Sequence, residues 1–264
     1  MLRGALKENE RLSGNFMGDI IYGKRPIIEA FRSGTTVKKV YIFENMKGKD
    51  EFLMEIKDLS YNKILSLKEV SKKELQIISK TQKHGGVVAE VKEKQYVRIE
   101  DILSFAKEKN EEPLLLILNR IEDPQNLGAV LRSAEGAGVH GIILPKRRSA
   151  KVNPTVVKTS AGAVYHLLIS LVSNISQAVS KLKDNGIWII GSDSSADKMY
   201  YEVDFRLPTA IIIGSEGRGI QNLIKKKCDF IVKIPMLGKI QSLNASASAG
   251  ILVYEALKQR LEVK

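Results

Sequence analysis

Three polar segments carry the side chains best suited to chemistry, and each follows a short apolar run. The first reads Asn119-Arg120-Ile121-Glu122-Asp123-Pro124-Gln125-Asn126-Leu127-Gly128 and continues to Arg132. Asp123-Pro124 and Asn126-Leu127-Gly128 are turn chemistry leading into a helix, and the six-residue spacing sets Arg132 on that helix's first turns. The second is Gly214-Ser215-Glu216-Gly217-Arg218-Gly219. Its glycines let backbone approach a ligand closely, and a glutamate among them is poorly placed to fill a core. The third runs from Ile234-Pro235-Met236-Leu237-Gly238 to Ser242-Leu243-Asn244 and a row of small residues, Ala245 to Gly250. A polar cap followed by small side chains describes a helix packed very closely against a neighbour. Together these segments supply an amide, a guanidinium, a carboxylate and hydroxyls around glycine-rich backbone. Position and composition give a ligand site without naming the reaction.

Two tempting motifs do not survive inspection. Gly136-Ala137-Gly138-Val139-His140-Gly141 matches the dinucleotide fingerprint, but a helix precedes it and a strand follows, the reverse of the order that fingerprint requires. It reads as a glycine-rich helix end turning into a strand. Neither glycine-rich loop contains Gly-Lys-Ser/Thr, so a phosphate-cradling nucleotide loop is unsupported.

The elements that must position the three segments follow from periodicity. After Pro113 come continuous apolar runs at Leu114–Leu118, Gly141–Leu144, Ile187–Gly191, Ala210–Gly214 and Phe230–Ile234, separated by helical patterns such as Leu127–Glu135 and Ser176–Asp184. Strands buried on both faces and alternating with helices describe a doubly wound parallel sheet. In such a sheet ligands bind beyond the carboxyl ends of the strands, where all three segments lie. Upstream, helices at Pro26–Ser33, Lys49–Ser60 and Ser71 to about Thr81 alternate with strands at Lys39–Phe43, Lys63–Leu67 and Val87–Val91. This is a small α/β domain, 17–92, preceded by an extension, 1–16, expected to stay poorly ordered. The charged stretch 93–112, with a short helix at Asp101–Lys107, reads as a linker to the second domain, 113–264.

The 264 residues include 42 Lys and Arg against 30 Asp and Glu, a net charge of +12. The excess is shared evenly between 1–96 and 97–264, so it belongs to folded parts and favours a polyanionic partner, nucleic acid first. No apolar stretch is long enough to span a membrane, and the N-terminus has no signal-peptide core. One cysteine, Cys228, and three scattered histidines offer neither a disulfide nor metal-ligand spacing. A reduced, cytoplasmic protein without metal is expected.

Taken in order, Asn126…Arg132, Gly214-Ser215-Glu216-Gly217-Arg218-Gly219 and Ile234-Pro235-Met236…Ser242-Leu243-Asn244-Ala245-Ser246 resemble the three signature motifs of the SpoU/TrmH branch of the SPOUT superfamily. These are RNA ribose 2′-O-methyltransferases that use S-adenosylmethionine. Gly23-Lys24-Arg25-Pro26-Ile27-Ile28-Glu29-Ala30 and Gln82-Lys83-His84-Gly85-Gly86 are similar to that family's small substrate-binding domain, which is like a ribosomal protein.

The resemblance implies a C-terminal trefoil knot, a homodimer through that domain, and an RNA substrate. It implies that Gly214, Ile234, Met236, Ser242 and Leu243 hold S-adenosylmethionine and that Asn126, Arg132, Glu216, Ser242 and Asn244 line the reaction site. Lys24, Arg25 and His84, with Arg132, become RNA contacts. It also implies Arg132 as the general base. A guanidinium, always charged and without an acceptor, is better suited to grip the target phosphate and polarise the 2′-hydroxyl. The separate N-terminal domain favours ribosomal RNA, with a guanosine of the large subunit as the expected target. Methylation of transfer RNA, an antibiotic-resistance ribosomal methylation, and a noncatalytic RNA-binding or ribosome-assembly role are the alternatives.

Overall fold

The computed structural model describes residues 18–60, 66–215, 217 and 219–262. They divide into two compact units between Glu93 and Lys94. The expected extension, 1–16, lies outside the described residues, as do 61–65, which include the first three residues of the expected strand Lys63–Leu67.

The first unit is built from β1 (Gly18–Tyr22), α1 (Lys24–Arg32), β2 (Val37–Phe43), α2 (Lys49–Leu59), β3 (Ser66–Val70), α3 (Lys72–Ser79) and β4 (Val87–Lys92). The sheet order is β1-β4-β2-β3, antiparallel except for the β2–β3 pair. Successive strand residues face opposite sides, and both Val40 and Tyr41 are buried, so helices cover the sheet on both faces. Leu75 of α3 packs with Tyr41, Val70 and Val88. That helix starts where its chemistry says it should. Ser71 Oγ accepts from the Glu74 N–H, and the Glu74 carboxylate accepts from the Ser71 N–H at 2.8 Å, a reciprocal cap whose Ser contributes about 1 kcal/mol. β3 sits at the sheet edge with only Val70 buried, which is why apolar periodicity misplaces it.

The second unit comprises α4 (Ile99–Glu108), β5 (Leu114–Leu118), α5 (Pro124–Gly136), β6 (Gly141–Pro145), α6 (Pro154–Thr159), β7 (Leu168–Val172), α7 (Ile175–Asp184), β8 (Trp188–Ser192), β9 (Lys198–Met199), β10 (Thr209–Ile213), α8 (Asn222–Lys225), β11 (Phe230–Lys233) and α9 (Ala245–Leu261). All the strands run parallel in the order β7-β6-β5-β10-β8-β11-β9. β5 and β10 lie side by side at its centre, and every residue of both is buried. β10 enters between β5 and β8 although β8 and β9 precede it in the chain, so the loops after β5 and β10 emerge next to each other.

The stretch 93–112 is more than a linker. Ile99 and Ile102 of α4 belong to the same core as Leu115, Ile117 and Ile212. A Cβ on Gly141 would stand 2.4 Å from Ile102, so α4 presses directly on β6. Its surface charges conceal an apolar stripe three residues apart. The Gly136–Gly141 segment is, as read, the end of α5 turning through Gly138 (φ +72°) into β6.

Candidate active site

The loop after β10 folds tightly on itself. A Cβ on Gly214 would lie 2.2 Å from the carbonyl carbon of Gly219 and 2.5 Å from the Ile220 nitrogen, so no side chain fits there. The Gly219 N–H donates to the Ser215 carbonyl at 2.9 Å. Gly217 and Gly219 take φ of +76° and +60°, the left-handed region glycine enters without steric cost. Glu216 lies outside the described residues.

This loop walls one side of a cleft of about 270 Å³. All of Gly214, Ile234, Met236, Ser242 and Leu243 line it, drawn together from two segments of chain. Among the lining residues that escaped the sequence reading are Ser192, Asp193 and Ser194, at the carboxyl end of β8. Their only signal was a polar triplet ending a buried strand. Asp193 Oδ2 meets Lys225 Nζ at 2.5 Å, and its Oδ1 accepts from the Ser195 N–H and hydroxyl. Burial pushes the carboxyl's pKa up, but the ammonium and the Ser195 donors together outweigh it and hold the group below its ordinary value.

A larger hollow of about 650 Å³ adjoins the cleft, and Ser215 and Ala245 line both. Asn126 opens into it. Two caps fix the geometry here. Asp123 begins α5, its carboxylate accepting from the Asn126 N–H at 3.0 Å, with Pro124 in the first helical turn. Asn244 begins α9, accepting from the Ser246 N–H at 2.8 Å. The Asn244 amide then donates to Asn126 Oδ1 at 3.0 Å, joining residues far apart in the chain. The small-residue face of α9 serves this approach, since Gly250 lies against Ser133 of α5.

Arg132 is not gathered in. It is exposed and lines neither hollow. Six helical residues carry it roughly 9 Å along and about 120° around α5 from Asn126.

In the first unit Arg25 is exposed, with a 3.4 Å ion pair to Glu29. Lys24 is half-buried and donates to the carbonyls of Lys47 and Gly48 at 2.6 and 3.1 Å, tying the start of α1 to the next turn. His84 requires correction as an RNA contact. It is only 2% exposed, and its Nδ1 accepts from the Gly86 N–H at 3.1 Å. The left-handed Gly85-Gly86 turn draws the ring inward, and burial lowers its pKa, assisted by the Lys72 ammonium.

Residues 113–254 match the family model described as the SpoU rRNA Methylase family, and residues 20–97 match that for RNA 2′-O ribose methyltransferase substrate binding. The putative TrmH family tRNA/rRNA methyltransferase YacO of Bacillus subtilis is 40% identical over 243 residues, covering 92% of this chain and 96% of its own. The SpoU methyltransferase AviRb from Streptomyces viridochromogenes, solved in complex with the cofactor AdoMet, superposes with a TM-score of 0.77 at 26% identity, over 93% of this chain and 91% of that one. A TrmH/SpoU tRNA modifying enzyme of A. aeolicus aligns over 62% of this chain and 85% of its own, at 29% identity and a TM-score of 0.53. The chain belongs to the SpoU rRNA methylase family.

Proposed function

We propose that this protein methylates a ribose 2′-hydroxyl in RNA with S-adenosylmethionine as donor, acting on a guanosine of large-subunit ribosomal RNA. The observation that carries the reading is the convergence of Gly214, Ile234, Met236, Ser242 and Leu243 on one cleft beside the Asn126–Asn244 pair.

The cleft suits the donor's chemistry. Ile213, Ile234, Met236 and Leu243 supply apolar surface for a purine, the Gly214 loop offers main-chain donors and acceptors, and Ser192, Ser194 and Ser242 add hydroxyls to the lining. When bound, the donor supplies a sulfonium methyl, already activated for displacement. The protein's remaining tasks are to align the ribose oxygen and to manage one proton. Asn126 and Asn244 orient the ribose at the junction of the two hollows, and Ser242 lines the adjoining cleft. Arg132, exposed on α5 outside both hollows, grips the target phosphate.

The first unit, matched by the substrate-binding model, holds the RNA, with Arg25 the more accessible of its candidate contacts and Lys24 largely committed to its own fold. The tRNA-modifying neighbour covers 62% of this chain where AviRb covers 93%, and the additional unit supports a larger RNA substrate. A homodimer through the second unit, a trefoil knot formed by the last segment and a cytoplasmic site of action complete the reading.

The test is mass spectrometry of nucleosides from unmodified ribosomal and transfer RNA after incubation with labelled S-adenosylmethionine. A labelled 2′-O-methylguanosine from large-subunit RNA is the expected product. Label only in transfer RNA would overturn the substrate, and label in neither would overturn the activity.

A further inference from the structure

A separate hollow of about 270 Å³ opens beyond the carboxyl ends of β5, β6 and β7. Asn119, Arg120, Arg147 and Arg148 line it, at the start of α7. No carboxylate is among its described lining residues. Three independent features distinguish it from a solvated basic face.

First, Asn119 is 3% exposed, yet its side-chain Nδ2 has no hydrogen-bond partner among the described residues. Buried donors are nearly always satisfied by protein or by water, so an unpaired amide in a residue that lines a cavity calls for an acceptor. Second, Arg120 and Arg148 take φ of +63° and +56°. Arginine rarely adopts that conformation, and strain of this kind concentrates at ligand clamps. Third, Arg120 is held in place from within. With the Gln221 amide turned so that its oxygen faces the guanidinium, that oxygen accepts from Arg120 Nη2 at 2.7 Å and from its Nε at 3.3 Å. Among the described residues, Nη1 has no partner.

Three arginines and an unsatisfied amide among the lining residues fit a tetrahedral oxyanion, and the carboxylates of Glu122 and Asp123 line the adjoining hollow instead. Arg120 and Arg148 also line the hollow that contains Asn126, so the two spaces share a wall. We infer that Asn119, Arg120, Arg147 and Arg148 form a phosphodiester subsite that holds the RNA backbone next to the nucleotide being modified. The inference rests on the RNA-modifying reading and locates where the strand leaves the reaction site. It requires contacts to phosphate and none to a base, so it fixes register without choosing sequence.

The test reads binding without cofactor or turnover, so it remains decisive even if the methylation reading fails. The probe is a fluorescein-labelled single-stranded oligoribonucleotide of mixed sequence, followed by anisotropy across a salt series. Arg147→Ala/Arg148→Ala should weaken binding by about tenfold or more, and the salt slope should fall by about 0.7 for each phosphate lost. Lys107→Ala/Lys226→Ala removes the same charge elsewhere on the second unit and should change affinity by less than about twofold. Calorimetric affinity for S-adenosylmethionine should be unaltered in both variants. In a ¹⁵N spectrum the Asn119 side-chain amide should shift on titration with the oligoribonucleotide, and inorganic phosphate should compete. Equal behaviour of the two double variants, or an Asn119 amide indifferent to both ligands, would overturn the subsite. A response to inorganic phosphate alone would overturn its assignment to RNA.

Discussion

Replacing Gly214 by alanine tests whether the closed loop after β10 builds the cofactor cleft. The new Cβ would sit 2.2 Å from the Gly219 carbonyl carbon, more than an ångström inside ordinary contact at 3.4 Å. Its three nearest atoms are all backbone, so no side chain there can swing aside. Relief requires opening the Ser215–Gly219 bridge and its 2.9 Å hydrogen bond. A lost hydrogen bond costs about 1 kcal/mol and overpacking about 1–3 kcal/mol. The sum, roughly 2–4 kcal/mol, corresponds to a Tm lower by about 5–15 °C in a unit of this size. The displaced loop should also weaken S-adenosylmethionine binding at least ~10-fold, since ~1.4 kcal/mol of lost contact suffices. Calorimetry and thermal unfolding measure the two effects. Gly138→Ala is the control. Gly138 has φ +72° with nothing within 4 Å of its would-be Cβ, so it should lose about 1 kcal/mol of stability and no cofactor affinity. If Gly214→Ala bound the cofactor like the parent and melted within about 1 °C of it, the loop would not be a wall of the site.

Arg132→Ala should abolish methyl transfer while cofactor affinity stays within about twofold, and Arg132→Lys should remain nearly as inactive; full turnover by the lysine variant would exclude bidentate gripping. Asn244→Ala removes a helix cap and should cost about 1 kcal/mol. Combined with Asn126→Ala it should show a coupling of about 0.5–1 kcal/mol in urea unfolding, and strict additivity would mean the 3.0 Å contact between them carries no energy. His140 gives a pH dependence. Its Nδ1 accepts from the Leu114 N–H at 3.0 Å and its Nε2 donates to Glu111 at 3.0 Å, so the native ring is neutral. Burial lowers its pKa despite the opposing carboxylate. The unfolded chain then binds the extra proton more readily, so this contribution is full above about pH 6.5 and is lost as pH falls toward the native pKa. Urea midpoints read from Trp188 fluorescence should decline across that window, and a midpoint flat from pH 7 to pH 5 would refute the argument.

Motif order brought Gly214, Ile234, Met236, Ser242 and Leu243 to the walls of one cleft because those walls are loops, and glycine, proline and small residues write loop geometry directly into sequence. Side-chain convergence is written less plainly. Asn126 and Arg132 read as a pair because they share a segment, yet helical rotation sends them to different sides of α5, and Asn126 finds its partner in Asn244 across the fold. His84 has the polarity of an RNA contact, but the Gly85-Gly86 turn beside it decides that the ring faces inward. Asn119 is the limiting case. It follows a fully buried strand, and an asparagine there has the composition of any strand-ending turn. Its amide becomes conspicuous only when the loops after β6 and β7 close around it without offering an acceptor. What sequence withholds is therefore the surroundings of a polar group, and an unsatisfied donor is a property of surroundings alone. That is why three short motifs can mark the walls of one cleft while the surroundings of Asn119 are legible only in the folded geometry.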